Sequence, residues 1–316
     1  FKLCWQCGLC SASCPWNTVR SFMTHRMICQ SRYGLVDMED EDWWLCSTCN
    51  QCVSRCPRGV AITDVIRAAR KIMLEFQYEK APTSLRSAIG NLGSQGNPWG
   101  GEKSKRAAWA ESLSIQPYSS DIHDLLYSPC CVLAYDPKLG SVARATATVL
   151  KATGAAFGIL GEKESCCGES VRKAGHESLF ESLAKSNIAA FREKGVKEII
   201  VSSPHCYAAF KEDYAQLNGE VKVHHLTQYL AARLDKGKLK YKKSLSKKIV
   251  YHDPCYLGRH SGIYEEPRRV LGSIPGVTLM DEVECRENSL CCGGGGGRIW
   301  METLKGERFS DILVEQ

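Results

Sequence analysis

Residues 289–298 read Ser-Leu-Cys-Cys-Gly-Gly-Gly-Gly-Gly-Arg, and the adjacent pair Cys291-Cys292 constrains the chain more than any other stretch. Neighbouring cysteines make poor disulfide partners, because so small a ring forces strained geometry. Two adjacent thiolates on a glycine-rich loop are better suited to face one inorganic body together, while residues without a Cβ let the backbone come close to it. A second copy lies upstream as Ser165-Cys166-Cys167-Gly168. A single cysteine precedes each pair at a similar interval, Cys131 by 35 positions and Cys255 by 36. This is an internal repeat of metal-ligand type.

The 316 residues hold 18 cysteines, grouped in tight clusters with metal-ligand spacing rather than spread as a disulfide framework. A reducing cytoplasmic setting follows as the expectation. No run of about 18 apolar residues is present, so no span of a bilayer is expected within the chain. A net charge of +6 is mild, and nucleic acid is not expected as a partner. The chain reads as cut at both ends, at Phe1 and at Gln316. Further sequence is expected on both sides, with room for a membrane segment upstream.

Cys4-x-x-Cys7-x-x-Cys10-x-x-x-Cys14-Pro15 recurs as Cys46-x-x-Cys49-x-x-Cys52-x-x-x-Cys56-Pro57. This is the ligand run of two-cluster ferredoxins, in which the fourth cysteine of each run serves the other cluster. It predicts one 4Fe–4S cubane on Cys4, Cys7, Cys10 and Cys56, and a second on Cys46, Cys49, Cys52 and Cys14. Zinc, which CxxC pairs also bind, fits two complete runs poorly. Between the runs, Val19, Phe22, Met23 and Met27 carry helical spacing. After them, Ile62, Val65, Ile66, Ala69, Ile72 and Met73 do the same. Residues 1–80 are expected to form a helical two-cluster module. Cys29 reads as a small hydrophobe, and Trp43 and Trp44 as packing over a cluster or core.

Glycines crowd residues 81–125, which read as a linker or extended arm without chemistry. From 126 to 235, strands at Leu125–Tyr127, Ala156–Leu160 and Glu198–Val201 alternate with helices at Val142–Ala152 and Leu179–Lys194. That alternation argues for a parallel α/β arrangement. Each cysteine group follows a strand, where open α/β sheets place ligands, so Cys131, Cys166, Cys167 and Cys206 are expected to converge. His205 reads as a surface-loop histidine in preference to a hydrogen-bond donor at the group. Residues 236–316 form the second copy. A lysine-rich hinge leads to strands at Ile249–His252 and Val277–Met280 and a helix near Pro267–Leu271. Cys285 is an extra cysteine. The five glycines lack phosphate-loop spacing.

Together these residues resemble the catalytic iron–sulfur subunits of the heterodisulfide reductase family, and among them the branch found in respiratory membrane complexes. The resemblance implies an α+β multidomain chain: a helical two-[4Fe–4S] ferredoxin module followed by two α/β cysteine-rich domains of the Cys…Cys-Cys-Gly…Cys-x-x-Cys pattern, called CCG domains. The second of these would be incomplete at its C-terminal end. It implies two cubanes and one further noncubane 4Fe–4S cluster, or two, each held by up to five cysteines. In the first copy Cys131, Cys166, Cys167 and Cys206 match, with Cys130 left over and Ser203 where a cysteine is expected. In the second copy Cys255, Cys291 and Cys292 match and form the expected reactive group, with two further ligands expected beyond residue 316.

The implied function is an electron-transfer oxidoreductase that reduces or forms a disulfide. The alternative is a relay, without a disulfide substrate, between electron-transfer flavoprotein or a thiol carrier and a menaquinone-linked membrane partner. Flavoprotein, ferredoxin-type or quinone/cytochrome b subunits are the implied partners, in anaerobic respiration at the cytoplasmic face of a membrane. Tyr251, His252, Arg259 and His260 flank Cys255. They would either hold or protonate a substrate thiolate or bond only backbone and cluster sulfides.

Overall fold

The structure is a computed structural model that describes residues 3–281 and 283–315. The cysteine runs fold into short helices and turns: α1 (Leu9–Ala12), α3 (Asp42–Leu45) and α4 (Gln51–Ser54), with α2 (Thr24–Tyr33) between the runs and α5 (Ile62–Phe76) after them. Helix α5 buries Ile62, Ile66, Ala69 and Met73 along one face, as their spacing predicts, while Ile72 lies on the exposed side. The expected helix through Val19 and Phe22 differs. Pro15–Thr18 is a 3₁₀ turn, and α2 starts only at Thr24. Asn17 explains the break: its side chain accepts from Phe22 N–H and donates to the Ser11 and Phe22 carbonyls, holding the chain in a loop.

Residues 81–125 are not an extended arm. They contain α6 (Thr83–Gln95) and a 3₁₀ segment, Lys103–Leu113. Leu85, Ala88, Ile89 and Leu92 recur at helical spacing and are buried, and this apolar stripe outweighs the helix-weakening Gly90 and Gly93.

The first copy holds a four-stranded, all-parallel sheet in the order β2-β1-β3-β4, with β1 (Leu125–Ser128), β2 (Phe157–Gly158), β3 (Glu198–Val201) and β4 (Lys222–His225). Leu126 pairs with Ile199 and Ile200 with His224 in register. β1 is buried at every position, and in β3 Ile199, Ile200 and Val201 are buried, as the central strands of a parallel sheet must be. Helices α7 (Cys131–Tyr135), α8 (Gly140–Ala152), α9 (Glu169–Lys173), α10 (Glu177–Glu193), α11 (Pro204–Ala208) and α12 (Leu226–Asp235) connect and cover the strands. The second copy repeats the plan in part. β5 (Lys247–Tyr251) and β6 (Val277–Asp281) pair in parallel around α13 (Glu265–Gly272), and α14 (Phe309–Glu315) follows.

One apolar core runs through all three parts. It joins Ile66 and Met73 of α5, Leu85 of α6, Val171 and Phe180 of the first copy, and Tyr256 and Phe309 of the second. Arg70 of α5 is fully buried within it. Its guanidinium donates to the Trp43, Cys46, Lys173 and Gly296 carbonyls at 2.7, 2.6, 3.1 and 2.9 Å. Burial brings its pKa down to about 10, which leaves it charged at neutral pH. Arg70→Met strands these acceptors. At ~1–3 kcal/mol for each buried group left unpaired, a loss of about 3 kcal/mol or more is expected. Arg70→Lys should recover only part of it, because a compact ammonium cannot reach in four directions. Anaerobic thermal or denaturant unfolding checks both, and an unchanged midpoint in Arg70→Met would exclude this role.

Candidate functional site

The two cysteine runs line two separate cavities. Cys4, Cys7, Cys10 and Cys56 border the first, with Trp5, His25 and Ile28. Cys14, Cys46, Cys49 and Cys52 border the second, with Trp16, Phe22 and Ile66. The fourth cysteine of each run therefore lies with the first three of the other. Locally the runs repeat in backbone conformation: Gln6 and Thr48 have φ of 58° and 50°, and Gly8 and Asn50 have 80° and 62°. These left-handed turns aim Gln6 N–H at Cys4 Sγ, 3.4 Å, and Thr48 N–H at Cys46 Sγ, 3.3 Å. The first cavity lies at the surface, with Cys7 exposed, and the second lies deeper, with Cys49 and Cys52 buried. Cys29 is half-buried on α2 and borders neither cavity.

The Cys-Cys-Gly groups also fold alike. Gly168 and Gly293 have φ of 78° and 85°, a conformation that favours a residue without a Cβ. It turns Gly168 N–H onto Cys166 Sγ and Gly293 N–H onto Cys291 Sγ, at 3.5 and 3.3 Å. In the second copy, Cys291 meets the thiols of both Cys255 and Cys292. It also meets Cys49 of the second ferredoxin run, and Ser47 Oγ lies 3.3 Å from its sulfur. Cys292 is exposed at the edge of an open cavity of about 440 Å³ lined by Trp16, Arg298, Arg308 and Phe309.

The glycine run serves a purpose other than closeness to an inorganic body. A Cβ on Gly295 would lie 2.2 Å from the Ser47 carbonyl oxygen, and one on Gly296 would lie 2.6 Å from that of Cys46. The loop is bare so that it can dock on the backbone of the second ferredoxin run.

In the first copy, Cys131 meets Cys166, Cys166 meets Cys167, and Cys167 meets Cys206. The four expected residues do converge. Arg106 joins them from the 3₁₀ segment that carried no expected chemistry. Its Nη1 donates to Cys131 Sγ at 3.5 Å, and its Nη2 to the buried Glu164 at 2.5 Å. An arginine in a glycine-rich, charged stretch gave no signal in the sequence. His205 is not a surface-loop residue. It lies on α11, 2.8 Å from the fully buried Glu169, and stacks on Tyr256 with centroids 3.9 Å apart. Tyr256 stacks in turn on His260, 4.1 Å, and shares a hydrogen bond of 2.8 Å with Thr48. Burial works against ionisation of Glu169, but His205, Lys173 and Tyr256 outweigh it and hold the carboxyl at about 2.

Of the residues flanking Cys255, Arg259 and His260 bond backbone rather than facing the cavity at Cys292. Arg259 reaches the Cys49 and Ser289 carbonyls, and His260 reaches that of Thr48. His252 Nδ1 lies 3.2 Å from Ser289 Oγ, and Tyr251 lies beneath the Arg268 guanidinium. Cys285 is half-buried and borders none of the cysteine cavities.

These thiols cannot all ionise together. Burial raises Cys14 to about 12 and Cys52 well above the ordinary thiol value. Cys291 is pushed up by Cys255, Cys292 and Cys49 around it, while its thiol hydrogen bonds bring Cys49 and Cys292 down. Such a donor set needs a cationic body to take up the charge, since thiolate ligation requires lost protons. Among the described residues, no three or more His, Cys, Asp or Glu side chains gather as a single metal ion would need. The ferredoxin thiols border cavities instead, which fits a polynuclear iron–sulfur cluster.

Residues 1–60 match the 4Fe-4S dicluster domain, and residues 125–211 and 249–316 match the cysteine-rich domain called CCG. The chain is 36% identical over 290 residues to the EtfAB:quinone oxidoreductase of Syntrophomonas wolfei, covering 87% of this chain and 40% of that protein. It is 34% identical over 285 residues to the probable iron-sulfur-binding oxidoreductase FadF of Bacillus subtilis, covering 88% and 40%. It is 34% identical over 260 residues to a subunit of the dihydromethanophenazine:CoB–CoM heterodisulfide reductase of Methanosarcina barkeri, covering 80% and 62%. The chain thus spans 40–62% of the length of these relatives. No solved structure matches it.

The docking of the glycine loop gives a direct test. Gly295→Ala places a methyl against a carbonyl oxygen, and the overpacking is expected to cost ~1–3 kcal/mol. The measurement is anaerobic unfolding beside Gly294→Ala, whose Cβ would meet only Cys292 Sγ at 3.8 Å. Equal midpoints for the two variants would show that the loop does not need this approach.

Proposed function

Because the chain belongs to the iron–sulfur proteins that join a 4Fe-4S dicluster domain to cysteine-rich CCG domains, we propose that it is an electron-transfer oxidoreductase subunit of the heterodisulfide reductase type. The observation that carries this reading is Ser47 Oγ of the second ferredoxin run lying 3.3 Å from Cys291 Sγ, which joins the inner ferredoxin cavity to the second cysteine pair. In this reading Cys4, Cys7, Cys10 and Cys56 hold the outer cubane, and Cys14, Cys46, Cys49 and Cys52 the inner one. Cys255, Cys291 and Cys292, with ligands beyond residue 316, form the reactive group. The clusters, when bound, supply one-electron iron–sulfur redox chemistry. The protein parts, with limits at residues 80, 125 and 235, supply ligands, insulation and order.

Electrons enter on the face where Cys7 is exposed beside Leu3, Trp5 and Leu9, which are 60%, 67% and 47% exposed. They leave at Cys292, the exposed end of the series. The cavity there offers Arg298 and Arg308 to an anionic substrate and Trp16 and Phe309 to its apolar part. The reaction is R–S–S–R′ + 2e⁻ + 2H⁺ → RSH + R′SH. The electrons come one at a time through the ferredoxin module and the protons come from solvent at the open cavity.

A second reading is a relay from electron-transfer flavoprotein to a quinone-linked partner, favoured by the name of the Syntrophomonas wolfei relative. No helix among the described residues is long and apolar enough to cross a membrane. A place at the cytoplasmic face of a membrane, in anaerobic respiration, would therefore come through other parts or partners.

Anaerobically isolated protein is expected to hold about twelve irons or more, and Cys14→Ser about four fewer, lost from the cluster of the second run. With reduced viologen as donor and a small organic disulfide as acceptor, Cys292→Ser should lower turnover by about 100-fold or more, the scale of disturbing a metal centre. Its ferredoxin EPR signals should stay unchanged. Absence of disulfide turnover in the wild type, with electrons passing from a reduced flavoprotein to a quinone analogue, would replace the disulfide reading by the relay.

A further inference from the structure

Cys130 is where the two copies part company. The matching position before Cys255 is Pro254, and Ser203 stands where the pattern of the first copy lacks a cysteine. Cys130 has φ of 82° and ψ of 149°, close to a region that only glycine enters freely. A residue whose side chain did nothing would be better replaced there by glycine. The side chain does have a contact: its thiol meets that of Cys206. Through Cys206 it continues the series Cys167, Cys166, Cys131, so five thiols form one connected arc. Ser203 is engaged otherwise, its Oγ accepting from Cys206 N–H at 3.4 Å as the cap of α11. Arg106, buried and paired with Glu164, donates to Cys131 Sγ of this arc.

We propose that Cys130 is the fifth thiolate of the first cysteine-rich domain, taking the part that Ser203 cannot, so that Cys130, Cys131, Cys166, Cys167 and Cys206 together hold an iron–sulfur cluster. This rests on the reading of the Cys-Cys-Gly groups as cluster sites given above. The unusual backbone at residue 130, with φ of 82° and ψ of 149°, fits a residue kept for its thiol. The first copy thereby keeps a five-thiolate set by moving one ligand from the loop after β3 to the loop after β1.

The test is iron and acid-labile sulfide per chain, with Mössbauer and EPR spectra, on anaerobically isolated wild type, Cys130→Gly, Cys166→Ser and Cys130→Gly with Ser203→Cys. Glycine suits the backbone at 130, so folding, read by circular dichroism, is expected to survive. Cys130→Gly should lose about four irons, as Cys166→Ser does, with the ferredoxin signals intact. Adding Ser203→Cys should restore them. Cys130→Gly with wild-type iron and spectra, beside a Cys166→Ser variant that has lost four irons, would overturn the role of Cys130 while leaving a cluster in place. Wild-type iron in Cys166→Ser would instead remove the cluster site itself, and this proposal with it.

Discussion

A buried guanidinium with no carboxylate beside it among the described residues organises this protein. Arg70 gives up water and receives four backbone carbonyls, two from the ferredoxin module and one from each cysteine-rich copy. Desolvating a charge is costly unless every donor is used, so the arrangement holds only if all three parts are in place. One of the carbonyls belongs to Cys46, a ligand candidate, and another to Gly296, four residues after Cys292. The same side chain that closes the core therefore sets the distance between the inner ferredoxin cavity and the second cysteine pair. In the proposed reading, packing and electron path share this geometry.

Glycine does two physically different jobs in the neighbouring segment. Gly293, like Gly168, is required by a positive φ that turns its N–H toward a cysteine sulfur. Gly295 and Gly296 are required by contact, because a Cβ would strike the Ser47 and Cys46 carbonyls. The first use shapes a ligand loop, and hydrogen bonds to sulfur are among the levers on cluster potential. The second lets two redox modules touch without an intervening layer of side chains. Around this contact, Tyr256 stacks between His205 and His260, with Thr48 bonded to its hydroxyl, so all three parts supply the wall of the site.

The thiols explain why fold and cofactor are coupled. Burial and mutual contact raise Cys52, Cys131, Cys206 and Cys291 well above the usual thiol range. At these four positions the protein taken alone opposes the ionisation that ligation requires, whereas Cys49 and Cys292 are lowered. Assembly of the clusters and packing of the core thus favour each other, since the cationic iron supplies the charge the interior lacks. The exposed positions, Cys7 at one end and Cys292 at the other, lie where electrons would have to cross to a partner or substrate.

Much of this was legible in the amino-acid order, because cysteine spacing is a local property. The two runs implied exchanged fourth ligands, and the cysteines line their cavities in that grouping. The alternation of strands and helices from residue 125 onward was readable for the same reason, apolar runs and helical spacing being short-range patterns. Other features had no local signature. Arg106 sits in a stretch whose glycines and charges read as a linker, yet tertiary packing aims it at Cys131. His205 reads as a loop residue until Glu169 and Tyr256 close on it. The glycine run reads as room for a cofactor, but what it makes room for is a backbone more than 240 positions away, at Cys46 and Ser47. Sequence alone marked the candidate ligands and the two ferredoxin groupings, because these depend on residue type and spacing. Only the tertiary structure decided that the groups adjoin and which polar residues face them, because that depends on how helices and loops distant in the chain share one buried core.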